Sequence, residues 1–129
     1  MTEKHPVTFD CGTFGAKTVN ASLSGGGDEP SRSLIERYHG LRGQWSTIWP
    51  LVLDAARSRL TVEEFGLSVD ELLTDPNTTY EFEVYEPSDI DAGNWSFTIK
   101  RVASGREIIV PLVFSDREFA GGQVCDSGE

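Results

Sequence analysis

Between Leu34 and Leu60 an apolar side chain recurs at every third or fourth position: Leu34, Tyr38, Leu41, Trp45, Ile48, Val52, Ala56 and Leu60. That spacing puts all eight on one face of an α-helix, and a one-sided helix of this length needs an apolar surface to lie against. The stripe crosses Pro50 without changing phase. A proline inside a helix removes one backbone hydrogen bond and crowds the carbonyl four residues back, here that of Ser46. A kinked helix, or two helices in line, is therefore expected over about residues 31–60. Gly40 and Gly43 weaken the first half and offer the alternative place for a break.

The covering surface lies on both sides of the stripe. Val7 to Cys11 and Lys17 to Leu23 alternate apolar and polar residues with period two around Gly12 and Gly15, which reads as a β-hairpin. Gly25, Gly26 and Gly27 make a connecting loop before the helix, and Ser33 with Glu36 has the spacing of a capping box near its start. Ser68 and Glu71 repeat that spacing ahead of a short helix at 69–74, which Asp75-Pro76 ends. Strands at 79–85, 95–102 and 107–114 follow, with one short strand near 119–125. Hairpin, helices, meander is not the regular alternation of strand and helix that builds a parallel sheet. The order predicts an α+β fold, a mostly antiparallel sheet of four to six strands with one long, Pro-kinked helix packed on one face. Tyr38, Trp45 and Trp49 should bury against Phe82, Phe97, Ile99 and Val110.

A chain of 129 residues that is 38% hydrophobic is expected to form a single domain, 1–129, around one core. Its longest nearly uncharged apolar run, 48–53, is far shorter than the roughly 20 residues of a membrane span. The polar stretch from Met1 to Pro6 has no apolar signal core, so a cytoplasmic protein is expected, or else one whose signal has been removed. Cys11 and Cys125 lack Cys-x-x-Cys spacing. Reduced thiols are the expectation, with a bridge between the two ends of the chain as the alternative.

Charge is unevenly distributed. The net charge is −10; residues 1–60 hold seven basic and six acidic side chains, whereas residues 61–129 hold four and fifteen, a net of −11. A field of that sign repels nucleic-acid phosphates and anionic membranes and attracts a basic protein, so neither nucleic acid nor membrane is expected as a partner.

Chemistry has few candidates. His5 and His39 are the available imidazole bases, and neither belongs to a recognisable set of nucleophile, base and orienting group. Cys11 reads as a buried strand cysteine. Glu81 and Glu83 project from one strand face, and Glu86, Asp89 and Asp91 follow in a loop. These five carboxylates are the candidate binding residues for a basic partner. They also define the alternative, a carboxylate-based or divalent-cation-dependent hydrolase. The segment Asp89 to Asn94 departs from a calcium loop, with glycine fifth instead of sixth and Lys100 where the twelfth-position glutamate belongs. The glycine run meets Asp28 and Glu29 where a phosphate would sit, and no Gly-Lys-Ser/Thr follows. No metal site and no cofactor are expected. Trp45 and Trp49, one helical turn apart, together with Trp95 offer a second alternative, an aromatic pocket for a small ligand. Core packing is the plainer role for the three rings.

The pattern as a whole, a long Trp-containing helix followed by an acidic meander, resembles the small bacterial α+β domains of the toxin-immunity type. The likeness lies in architecture and charge and transfers no residues. It implies an immunity- or inhibitor-like protein-interaction module that binds a basic partner.

Overall fold

The computed structural model describes residues 5–24, 32–85, 94–103 and 105–128. Among them the chain forms, in order, β1 (His5–Asp10), β2 (Ala16–Ser24), α1 (Arg32–Gly43), α2 (Trp45–Arg59), α3 (Val62–Phe65), α4 (Val69–Thr74), β3 (Thr78–Tyr85), β4 (Asn94–Ala103), β5 (Arg106–Ser115), β6 (Glu118–Gly121) and β7 (Cys125–Gly128). The fold is α+β. One sheet runs β1-β2-β3-β4-β5-β6, with β7 also on β5. Every ladder is antiparallel except β2 with β3, which is parallel because four helices return the chain from the end of one strand to the start of the other.

The described sheet has seven strands rather than four to six, because the segment after Phe114 divides in two. β6 pairs with Val113, Phe114 and Ser115, and β7 pairs with Arg106 to Ile109, so the two lie end to end along the free edge of β5. Gly122 makes the division possible. Its φ is +147°, and a Cβ there would lie 1.9 Å from the carbonyl oxygen of Pro111. Only glycine combines that conformation with so close an approach.

A second correction concerns the helical stripe, which is not one long Pro-kinked helix. It is interrupted at Gln44, where φ −107° and ψ 14° depart from helical values. The break directly follows Gly43, as the alternative had it. The Gln44 N–H is shared between the carbonyls of Gly40 and Leu41, and the Arg117 guanidinium donates to Gln44 Oε1 from the far end of the chain. Pro50 stands exposed inside α2, five residues from its start, so only a single upstream turn has to yield to the ring. α1 begins at Arg32, which puts Ser33 inside the first turn rather than at the cap. At α4 the capping box forms as spaced: Ser68 Oγ accepts the Glu71 N–H at 3.2 Å, and the Glu71 carboxylate accepts the Ser68 N–H at 3.3 Å.

The helices cover one face of the sheet. Trp45 lies at the centre of the core, with its ring 4.7 Å from Phe9, 5.4 Å from Phe97 and 5.7 Å from Phe82 between centroids. Tyr38 reaches Phe82 at 6.0 Å and Trp49 reaches Phe97 at 6.0 Å. Phe82, Phe97, Ile99 and Val110 have no exposed surface. Where the core meets solvent at the start of β3, Arg101 bridges to Asp75 at 3.1 Å, each side chain one-fifth exposed.

Candidate functional site

A strand that turns alternate residues toward helices must turn the others away. The register aligns two rows on the face opposite the core: Asn20, Glu81, Thr98 and Pro111 form one, and Ser22, Glu83, Ser96 and Val113 the other. Glu81 and Glu83 thus come together as the sequence indicates, near the middle of the sheet and separated by about 7 Å along β3. They are the longest side chains in their rows, flanked by short hydroxyl and amide groups. Glu86, Asp89 and Asp91 lie outside the described residues.

Glu83 has close company. Ser22 and Ser96 flank it and are buried, at 6% and 8% exposure, although they face away from the helices. Tyr85, two residues further on and hence on the same face, brings its hydroxyl within 3.2 Å of Ser96 Oγ. Burial pushes the Tyr85 phenol above its ordinary value; the Ser96 hydrogen bond opposes that, while the Glu83 charge and hydrogen bond reinforce it. The arrangement is a half-buried carboxylate with a serine opposite it on each neighbouring strand and the Tyr85 phenol on the same face. Tyr85, Ser22 and Ser96 were not among the candidates from sequence. Tyr85 was within reach by period two, whereas the two serines depend on strand pairing.

The basic residues of the acidic half have partners of their own. Lys100, on this same face, pairs with Glu107 at 3.6 Å, and Arg101 pairs with Asp75. Arg106 meets Asp126 at 2.6 Å, which lowers the Asp126 carboxyl below its usual range and raises the guanidinium.

Trp45, Trp49 and Trp95 come together in the core. Their exposures are 4%, 5% and 0%, and Trp45 lies 6.3 Å from Trp49 and 6.0 Å from Trp95. Trp95 stacks on Phe114 at 4.5 Å and donates its Nε1 hydrogen to the Asp116 carbonyl at 2.7 Å.

Cys11 is fully buried just beyond β1, and Cys125 is exposed; both are free thiols. Burial pushes the Cys11 thiol up to about 11, against the pull of Lys17 and with a further push from Asp10. A thiol held protonated in this way is a weak nucleophile at neutral pH. His39 is exposed on α1, its ring 5.3 Å from that of Tyr38. Among the described residues no group of three or more His, Cys, Asp or Glu side chains is placed to hold a metal ion, and no helix is long and apolar enough to cross a membrane.

Comparison with protein-family models, with curated proteins and with solved structures gives no match.

Proposed function

We propose that the protein is an interaction module of the immunity or inhibitor kind, binding a basic protein surface through the sheet face that carries Glu81 and Glu83. The observation that carries this reading is the division of labour in β3. One side of the strand is consumed by the core, and the other presents two carboxylates within a half of the chain that bears a net −11. Charge segregated in this way steers association and sets its salt dependence more than it stabilises a fold. Glu86, Asp89 and Asp91 follow β3 in the sequence and, although outside the described residues, add to the negative charge of this half of the chain. A cytoplasmic partner is in keeping with this reading.

Affinity capture from host lysate tests it, comparing the native chain with a Glu81→Lys/Glu83→Lys variant at low and high salt. The expected result is a basic protein retained by the native chain at low salt and lost with the variant or with added salt. Identical recovery by both chains would overturn the assignment of the binding face.

A further inference from the structure

Among the described residues β1 is the end strand of the sheet, so half of its backbone groups face away from β2. The hairpin shows which half. Cys11 donates its N–H to the Gly15 carbonyl at 2.9 Å. Cys11, and in steps of two Phe9, Val7 and His5, therefore direct their backbone groups at β2, and Pro6, Thr8 and Asp10 direct theirs outward. Pro6 has no N–H to present there, as suits an edge. Thr8 is the middle of this edge, and its carbonyl is taken: Arg42 of α1 donates an Nη2 hydrogen to it at 3.1 Å. The guanidinium reaches across a cleft of about 280 Å³ between β1 and the junction of α1 with α2, and its centre lies 5.4 Å from the Phe9 ring and 5.8 Å from the Tyr38 ring.

We propose that Arg42 guards this edge, preventing a second copy of the chain from adding its own β1 alongside the first. The pairing it excludes is well defined. Two β1 strands related by a twofold axis at Thr8 would exchange N–H to carbonyl bonds between the two Thr8 residues, and each Asp10 N–H would donate to the Pro6 carbonyl of the other strand. None of these four bonds needs the N–H that proline lacks. The two central ones need the Thr8 carbonyl, and the approaching strand needs the space that Arg42 occupies. Sheet proteins block free edges in several ways; here the block is one side chain supplied by a neighbouring helix, held by a charge-assisted bond and by two aromatic rings.

Sedimentation equilibrium of the full chain over a concentration series tests the proposal, with circular dichroism to verify the fold. The native chain is expected to remain monomeric. Arg42→Ala should dimerise at concentrations lower on the order of tenfold or more, because the freed carbonyl exchanges a charge-assisted partner for a second strand. Adding Thr8→Pro to that variant removes an N–H that makes no bond to β2, and it should restore the monomer. If Arg42→Ala does not fold, Arg42→Met keeps the stem over Phe9 and Tyr38 and repeats the measurement. A folded variant that stays monomeric overturns the proposal. So does a dimer that survives Thr8→Pro, or a native chain that dimerises as readily as the variant.

Discussion

Phe82 and Glu83 are adjacent in β3, yet the sheet gives them opposite environments. Phe82 has no exposed surface and touches Phe9, Tyr38, Trp45 and Trp95 within 6.0 Å between ring centroids. Glu83 is half-buried beside two serines and a tyrosine hydroxyl. The inner side is made of large rings that fix one another's positions, so its chemistry is spent on stability. The outer side is made of small polar groups around carboxylates and contributes little to the core, which leaves its residues open to selection for recognition. In a sheet whose described helices all lie on one face, the period-two alternation thus separates what holds the molecule together from what it presents.

The largest test of that separation is Trp45→Ala. Removing a ring that packs against Phe9, Phe82, Trp49, Trp95 and Phe97 should destabilise the chain by about 3–5 kcal/mol in a denaturant titration. A melt unchanged by the substitution would place Trp45 outside the core.

Alkaline pH tests the inner side without mutation. Burial raises Cys11 from 9.0 to about 11 and is the main cause that raises Tyr80 from 10.0 to about 12, the charges of Cys11 and Asp75 adding to the latter. In both, the folded state favours the protonated form. Their contribution is therefore complete below pH 9 and declines as the pH rises through 9 to 12, by on the order of 2 kcal/mol for Cys11. Unfolding free energies measured across that range check it. A Cys11→Ala chain should lose less over the lower part of the window, from 9 to 11.

Arg101→Ala comes next. It leaves Asp75 without its cationic partner in a setting one-fifth exposed and should destabilise by about 1–2 kcal/mol. The smallest expected effect on stability is at Glu83→Gln, within about 0.5 kcal/mol. That substitution should nonetheless lower the Tyr85 phenol, because it removes a negative charge that raises it. An ultraviolet titration of the tyrosines reads the shift. A large destabilisation by Glu83→Gln would erase the distinction between the two faces.

The features that were legible in the sequence are those set by neighbours along the chain. α4 falls at 69–74 because Ser68 and Glu71 cap it, and β3, β4 and β5 match their alternating runs to within about a residue. The pair Glu81 and Glu83 followed from the same alternation. Features set by distant residues were not legible. The sequence offers a break at Gly40 or Gly43 as the alternative to a kink at Pro50, but not the distant contact at the break itself, where Arg117 holds the Gln44 side chain. The division of the last segment depends on the contact of Gly122 with Pro111, and the placing of Ser22 and Ser96 beside Glu83 depends on two ladders, one of them parallel.

That parallel ladder also bears on how the chain reaches its structure. β2 ends at Ser24 and β3 begins at Thr78, so about fifty residues must be closed into a loop before the two strands can pair. Closing a flexible loop of that length is unfavourable by about 3–4 kcal/mol, whereas β3, β4 and β5 meet through short connections. The meander should form early and the amino-terminal hairpin should dock onto it late. On the ribosome the order of appearance is the reverse: the hairpin emerges first and waits through four helices for the strand it joins.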